Sequence, residues 1–299
     1  MAYFLQLVFA GVALGCIYAL IGLGFTIIYK ASEVINFAQG DLLLVGAYIV
    51  AVGVFEWHLG FFLALLLGIL VTIIIGLLFE RLVLRQMIGR PVFSILMTTI
   101  GLGIVLRTLV IAIWGSNPLP AATPFQLTSG FTIGGVHFES SELWTIIVTA
   151  VVCAALFCFF RFTKYGLAMR ATAIDQEAAL AMGINIRNVY AIAWGIAAAI
   201  ATIGGVFLAI NSIAIDPTLG NIALFAFPAI ILGGIDSVSG AVLGGIMIGL
   251  TVVITAGYES HFANILGAGF HEIAPYLLMI LVLLIRPYGI FGTRKVERI

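Results

Sequence analysis

The sequence predicts an all-α, polytopic membrane protein. Of its 299 residues, 63% are hydrophobic and only 9% are charged, whereas soluble domains carry about 25% charged residues. Apolar runs of about 20 residues recur along the chain, and each could cross a hydrocarbon core about 30 Å thick. Strands of a membrane barrel would be about 10 residues long and would alternate polar with apolar positions. The runs therefore indicate a bundle of membrane-spanning helices.

Nine apolar runs are candidates for these helices, and we expect about eight or nine crossings in one domain that covers residues 1–299. The predicted spans are Phe4–Tyr29, Phe37–Phe55, Phe61–Phe79, Val92–Trp114, Leu143–Phe160, Val189–Ile210, Asn221–Ile235, Ala241–Gly257 and Ile273–Ile290. The seventh span is short. It could form a re-entrant or broken pair with the eighth, over residues 221–257.

The basic residues predict an orientation for these spans. They follow the first span, the third, the fifth and the ninth, and they are Lys30, Arg81, Arg85, Arg90, Arg161, Lys164, Arg170, Arg187, Arg286, Arg294, Lys295 and Arg298. If nine spans alternate, all of these residues fall on one side, which the positive-inside rule identifies as the cytoplasm. We therefore expect the N-terminus outside the cell and the C-terminus in the cytoplasm.

Glycines four residues apart recur within several spans. The pairs are Gly11 with Gly15, Gly240 with Gly244, and Gly245 with Gly249. Small residues at this spacing let two helices approach closely. We interpret the pairs as packing within one chain, with a dimer seam as the alternative.

Residues 161–188 form the one long loop predicted on the cytoplasmic side. Thr172 or Asp175 can cap the start of a helix there, and Gly183 resembles a glycine C-cap. A helix from about Ala173 to Met182 would be about 15 Å long, too short to cross the membrane. We expect it to lie at the surface and to fit a groove on a partner protein. An ordinary basic loop held by anionic lipid is the alternative.

Polar residues cluster where the second span begins: Asn36, Gln39, Gly40 and Asp41. Such a cluster can mark a broken helix that lines a translocation path. It can equally be an asparagine cap with an interfacial aspartate near a helix N-terminus. Arg107 is a basic residue predicted well inside a span, where a charge usually needs a partner. It could attract a carboxylate along a pathway, or it could extend to the outer interface.

Enzyme and cofactor motifs are missing from the sequence. Neither HExxH nor GxxxxGK[ST] occurs, and none of the four histidines lies four residues from another. The three cysteines fall in apolar runs, where core packing is expected rather than a disulfide or a metal site. The net charge is zero and no basic patch points to nucleic acid. We expect a chain that is not an enzyme and binds no metal or cofactor.

Four stretches carry a resemblance to a known family. They are Ile35–Tyr48 (INFAQGDLLLVGAY), Tyr165–Ala173 (YGLAMRATA), Ala178–Asn185 (AALAMGIN) and Leu232–Gly240 (LGGIDSVSG). These stretches resemble the permease subunits of bacterial ABC importers for branched-chain amino acids. The likeness extends over nearly the whole chain, in order, and is greatest to the permease that lacks extra N-terminal spans.

The resemblance implies an inner-membrane complex in which this chain does no covalent chemistry. A second permease would complete the pore as a heterodimer, two cytoplasmic ATPases would hydrolyse ATP, and a periplasmic binding protein would deliver the solute. Residues 161–188 would couple to an ATPase through Arg170, Asp175, Glu177, Ala178, Gly183 and Asn185. The candidates for the translocation path are Asn36, Gln39, Gly40, Asp41 and Arg107.

Two other functions remain open at this point. The cargo of such an importer could instead be urea, a short amide or a sugar, because selectivity would lie largely with the binding protein. The chain could also be a secondary carrier driven by protons or sodium. A carrier would need an ionisable residue deep in a span, for which Asp41 and Arg107 are the candidates.

Overall fold

The computed structural model describes residues 2–87, 90–124, 130–133, 136–261, 267 and 269–292. Within these ranges the chain is mostly helical, and six helices are long and apolar enough to cross a membrane. Three shorter apolar segments lie at Gln39–Phe55, Leu219–Gly233 and Phe270–Ile285. The protein is therefore a multi-pass membrane protein, and each of the nine predicted runs coincides with a helical segment. Arg294, Lys295 and Arg298 lie outside the described residues.

The described helices are α1 (Ala2–Ser32), α2 (Gln39–Phe55), α3 (Phe61–Leu82), α4 (Val92–Trp114), α5 (Ser140–Phe162), α6 (Lys164–Ile174), α7 (Gln176–Ala181), α8 (Ile186–Ser212), α9 (Leu219–Ile222), α10 (Ala226–Gly233), α11 (Val238–Gly257) and α12 (Phe270–Ile285). Short 3-10 turns lie at Leu84–Met87 and Ala223–Phe225. The expectation of an all-α chain misses two short antiparallel strand pairs. β1 (Leu119–Pro120) pairs with β4 (Ala214–Ile215), and β2 (Gly130–Ile133) pairs with β3 (Val136–Glu139).

Two compact units make up the chain. A terminal unit consists of residues 1–26, 125–149 and 224–299, and a central unit consists of residues 27–124 and 150–223. Every polar residue in the predicted path and every residue in the predicted coupling segment belongs to the central unit. The site is therefore built from the central unit alone.

Glycines allow α1 and α11 to pack closely in the terminal unit. A Cβ atom at Gly15 would lie 2.6 Å from the Cα of Ile246, and one at Gly245 would lie 2.6 Å from the backbone nitrogen of Ala19. Only a residue without a side chain fits so close an approach. The prediction that these glycines pack within one chain is confirmed.

The seventh predicted span is not one continuous helix. It is divided into α9, a 3-10 turn and α10, whereas α11 runs unbroken for 20 residues. Ser237 caps the start of α11, because its hydroxyl accepts a hydrogen bond from the Gly240 backbone N–H at 3.1 Å. The expected break therefore falls within the seventh segment and not within the eighth.

Helix α2 forms the centre of the central unit. All of its residues from Gln39 to Gly53 are buried, and α3, α4, α8 and α9 pack around it. Gly46 lets α8 approach closely, since a Cβ at this position would lie 2.5 Å from the Thr202 hydroxyl. The hydroxyls of Thr72 and Thr202 share a hydrogen bond of 2.7 Å that joins α3 to α8. Helix α2 is thus enclosed by other helices rather than by lipid.

Candidate functional site

The predicted polar cluster is buried and internally bonded. Asn36 and Gln39 are both 0% exposed. The Asn36 side-chain oxygen accepts a hydrogen bond from the Ala38 backbone N–H at 3.0 Å, and its amide nitrogen donates to the Gln39 oxygen at 3.4 Å. The Gln39 amide nitrogen in turn donates to the Ala197 carbonyl of α8 at 3.2 Å. Both side chains therefore hold the start of α2 against its neighbours.

Asp41 and Arg107 form an ion pair across α2 and α4. The Arg107 Nε lies 2.9 Å from the Asp41 Oδ1, and Asp41 is 6% exposed. Gly103 lies one turn before Arg107, and a Cβ atom at this position would clash with the Asp41 carboxylate. Asp41 also lies in the first turn of α2, where a negative charge is favourable. The arginine is directed at a carboxylate in the bundle, as expected if a charge in a span needs a partner.

The start of α2 lies well inside the bundle. Ala197, the partner of Gln39, lies eleven residues beyond the start of α8 at Ile186, about 17 Å along its axis. Arg107 lies fifteen residues beyond the start of α4 at Val92, about 23 Å along that axis. Residues 33–38 connect α1 to this point without regular helix. Helix α2 therefore begins inside the central unit, after a connector that follows the end of α1.

The segment 161–188 holds two short helices where one was expected. Helix α6 covers Lys164–Ile174 and α7 covers Gln176–Ala181. Asp175 has an extended backbone between them, and its side chain caps α7 by accepting from the Ala178 N–H at 2.9 Å. The predicted cap at Asp175 is therefore present, and the alternative at Thr172 is wrong. Thr172 lies within α6, and its hydroxyl bonds to the Ala168 carbonyl.

Gly183 ends α7 as the sequence suggested, and Asn185 supplies a cap for α8 that the sequence analysis did not predict. Gly183 has φ +82°, and the Ile184 N–H closes the end of α7 on the Ala179 carbonyl at 3.0 Å. The Asn185 side chain then caps α8 by accepting from the Arg187 N–H at 3.1 Å. The predicted C-cap at Gly183 is confirmed, because only a residue that tolerates a left-handed backbone suits this turn.

Every residue proposed for coupling is exposed on this helix pair: Arg170, Asp175, Glu177, Ala178, Gly183 and Asn185. Two large apolar side chains flank them, with Ile174 86% exposed and Met182 83% exposed. The opposite face is fixed in the central unit, where Met169, Thr172 and Ala179 are buried. The helix pair therefore presents a surface of mixed charge with two apolar projections.

A cavity of about 440 Å³ joins the two predicted sites. The end of α1 with the loop after it, the start of α4, the α6–α7 junction and α8 form its walls. Asn36 of the polar cluster and Asp175 of the helix pair both line it. The sequence treated these residues separately, because nothing in their spacing places residue 36 beside residue 175.

Sequence reasoning missed two charged residues that line this cavity and one carboxylate that is buried elsewhere in the central unit. Glu33 and Arg90 line it, and Arg90 entered the sequence argument only as an indicator of orientation. Glu80 was not selected either, although it is 1% exposed and its carboxylate lies 2.9 Å from the Arg85 Nε. The five-residue spacing of that pair, directly after an apolar run, is the signal that could have indicated it. Among the described residues, no group of three or more acidic, histidine or cysteine side chains could hold a metal ion.

A bundle of apolar helices with a buried ion pair and an exposed pair of short helices defines a polytopic membrane protein. The chain belongs to the family described as branched-chain amino acid transport system / permease component, which matches residues 7–285.

Individual relatives agree with this assignment. The chain is 32% identical to the high-affinity branched-chain amino acid transport system permease protein LivH of Escherichia coli K12, over 99% of this chain and 98% of that protein. It is 24% identical to the permease protein LivM of the same bacterium, over 92% of this chain and 67% of LivM. The structure of PsaBC from Streptococcus pneumoniae in complex with a Fab shares the fold, with a TM-score of 0.50 and 14% identity. That likeness covers 97% of this chain and 94% of the other.

Proposed function

We propose that this chain is one of two permease subunits of an ATP-driven importer for branched-chain or other hydrophobic amino acids in the bacterial inner membrane. The similarity to LivH over nearly the full length of both chains supports the solute class. The weaker similarity to LivM supports a partner permease of related sequence and hence a heterodimer. The chain itself binds no nucleotide, and two cytoplasmic ATPases supply the energy.

The observation that carries this proposal is the exposed α6–α7 pair. The pair connects α5 to α8, two helices that are long enough to span a membrane. Movement of the pair therefore moves the ends of both helices. All six coupling candidates face outward on it. The ATPases dock here, and their closure on ATP moves the ends of α5 and α8. In this proposal the side that carries these residues is the cytoplasm, the N-terminus lies outside, the C-terminus lies in the cytoplasm, and the chain crosses the membrane eight or nine times.

The solute path runs beside the buried polar cluster. Asn36, Gln39, Gly40, Asp41 and Arg107 lie where α2 begins inside the bundle. A guanidinium suits the carboxylate of an amino acid, and a carboxylate suits its ammonium group. A periplasmic binding protein delivers the solute to the outer face. The pore between the two permeases then switches from outward-facing to inward-facing, and the solute passes into the cytoplasm.

Co-purification tests this proposal. The tagged chain, expressed with its chromosomal neighbours and extracted in mild detergent, is expected to retain a second permease and ATPase subunits. Deletion of residues 173–182 is expected to release the ATPases and leave the permease pair intact. Arg81→Gln, an exposed change outside the segment, is the control and should retain all subunits.

Two results would contradict the proposal in different ways. A chain that purifies alone and transports in proteoliposomes without ATP would be an ion-coupled secondary carrier. An ATP-dependent complex whose uptake is competed by urea, a short amide or a sugar, and not by leucine, would keep the importer and change its cargo.

A further inference from the structure

The cavity in the central unit has the size of a small-molecule site. Its volume is about 440 Å³, within the range of about 300–1,000 Å³ that is usual for ligand pockets. Four separate parts of the chain form its walls, so a bound molecule would contact all of them at once. The cavity is therefore a candidate binding site, and its lining indicates the chemistry of the ligand.

Charges of both signs line the cavity together with hydrocarbon. Glu33 supplies a carboxylate, Arg90 supplies a guanidinium, and Trp194 and Ile95 supply apolar surface. Carboxylates attract an ammonium group, and a guanidinium attracts a carboxylate with suitable geometry. The combination matches a small zwitterion with an apolar side chain.

The backbone at Glu33 is a second, independent observation. Glu33 has φ +56°, a left-handed conformation that is uncommon for residues other than glycine. Its N–H bonds to the Tyr29 carbonyl at 2.7 Å and ends α1. A glycine would end the helix there without the conformational cost, and such costs cluster at functional sites. Glu33 therefore places a carboxylate at the cavity where the backbone alone would favour a smaller residue.

The position of the cavity indicates what a ligand would do there. Asp175 separates the two short helices of the coupling segment, and Asn36 is the first residue of the polar cluster. A molecule bound between them would hold these two parts in their present arrangement. The proposed function requires the coupling segment to move when the ATPases close, so occupancy of the cavity would oppose it.

We infer that this cavity is a regulatory site at which the zwitterionic amino acid binds from the cytoplasm and slows its own import. The inference rests on the proposed function, because that function sets the solute and the side from which it arrives. Glu33 and Arg90 belong neither to the proposed path nor to the proposed coupling surface. Their substitution should therefore remove the regulation and spare transport.

Equilibrium binding tests the site directly. The purified complex, without its binding protein, is titrated with L-leucine. Loss of one charged contact should weaken binding about tenfold in Glu33→Asn and in Arg90→Gln. Asparagine tolerates the left-handed backbone at residue 33, so Glu33→Asn removes the charge and keeps the backbone conformation. Glu56→Gln and Arg81→Gln are exposed controls outside the cavity and should bind as the wild type does.

Two leucine analogues test the zwitterion. 4-Methylpentanoate lacks the ammonium group and 3-methylbutylamine lacks the carboxylate, so each should bind about tenfold more weakly than L-leucine. Equal binding of leucine to wild type, Glu33→Asn and Arg90→Gln would overturn the inference. Equal binding of leucine and both analogues would overturn the assignment of the ligand.

Uptake into proteoliposomes tests the regulation. With L-leucine inside, the initial rate of ATP-driven uptake should fall in the wild type, and it should fall less in Glu33→Asn and Arg90→Gln. With an empty interior, all three proteins should import at the same rate. If the variants are already slow with an empty interior, the residues belong to transport itself and the inference is wrong. If the wild type does not import at all, the proposed function fails, and the titration still decides whether the cavity binds leucine.

Discussion

Asp41 and Arg107 show how the chain keeps charges inside its bundle. The two residues are 66 positions apart, and their ion pair measures 2.9 Å. A single charge in a membrane span costs at least about 2.5 kcal/mol on insertion scales, so burial of both is acceptable only as a pair. The sequence identified each residue as unusual. It could not pair them, because the contact depends on how α2 packs against α4.

Removal of Arg107 should therefore be more damaging than its partial exposure suggests. Arg107→Ala would leave Asp41 buried and unpaired, which costs about 3–5 kcal/mol in stability. Thermal unfolding in detergent should show this loss, and the double variant Asp41→Ala/Arg107→Ala should recover part of it. Arg81→Gln is the control for loss of a cation at an exposed position. An Arg107→Ala variant as stable as the wild type would show that the ion pair between Asp41 and Arg107 does not contribute to stability.

Gly183 tests whether the turn that ends α7 needs a residue that tolerates a left-handed backbone. It has φ +82°, and no heavy atom lies within 4 Å of the place where its Cβ would be. Gly183→Val should be harmful through the backbone alone, by about 1–2 kcal/mol, and should uncouple ATP hydrolysis from uptake. Gly183→Asn is the matched control, because asparagine tolerates a left-handed backbone. Normal uptake by Gly183→Val would contradict this role of the turn.

We expect Glu259, which follows α11, to make stability depend on pH. The Gly269 N–H bonds to its carboxylate, and the His271 Nδ1 lies 2.9 Å from it. These contacts lower the pKa of Glu259 below its ordinary value of 4.5, and the backbone N–H is the larger cause. The stabilisation is present above the pKa of the unfolded chain, and it is lost as the pH falls through the lowered pKa of the folded protein.

The melting temperature should accordingly fall more steeply with acidification in the wild type than in Glu259→Gln, over the range below pH 4.5. Glu56→Gln, at an exposed position without these contacts, should follow the wild type. Identical acid profiles of wild type and Glu259→Gln would remove Glu259 as a source of the pH dependence.

At the scale of elements, the contact between α1 and α11 tests how closely two apolar helices can pack. A Cβ at Gly15 would lie 2.6 Å from the Cα of Ile246, and backbone cannot move aside as a flexible side chain can. Gly15→Leu should destabilise the protein by about 1–3 kcal/mol through overpacking. Gly101→Leu is the control, since no heavy atom lies within 4 Å of a Cβ there.

Chemical unfolding followed by tryptophan fluorescence would measure both variants. A Gly15→Leu protein as stable as the wild type would show that the contact between α1 and α11 tolerates a side chain at this position.

Helix α2 shows what an apolar pattern leaves undecided. Its composition resembles that of α3 and α4, yet α2 is buried from Gln39 to Gly53, while α4 exposes Phe93 and Ile104. Lipid and protein interior are about equally apolar, so composition does not separate a central helix from a peripheral one. Close packing at Gly46 and Thr202 makes the difference.

At the scale of the whole molecule, the orientation in the membrane is the main prediction to test. The sequence places residues 161–188 inside and the loop between α4 and α5 outside, with α5 between them. In a background in which Cys16, Cys153 and Cys158 are replaced, Met182→Cys should react with an impermeant thiol reagent only from the cytoplasm. Thr132→Cys should react only from the opposite side.

The same reagent applied to sealed vesicles of known sidedness makes the measurement. Reaction of both variants from one side would show that α5 does not cross the membrane. Reaction of each variant from the side opposite to that expected would reverse the orientation and leave the crossing intact.

By itself the sequence determined that this is a helical membrane protein, where its apolar segments lie, and which family it belongs to. Those properties depend on local composition and on short motifs, and the turn at Gly183 and the cap at Asp175 depend on single residues and their neighbours. The tertiary structure alone decided that α2 begins inside the bundle, that Asp41 meets Arg107, and that Asn36 shares a cavity with Asp175. These contacts join residues tens to more than a hundred positions apart, and in a uniformly apolar chain only the close packing of helices selects which polar groups meet.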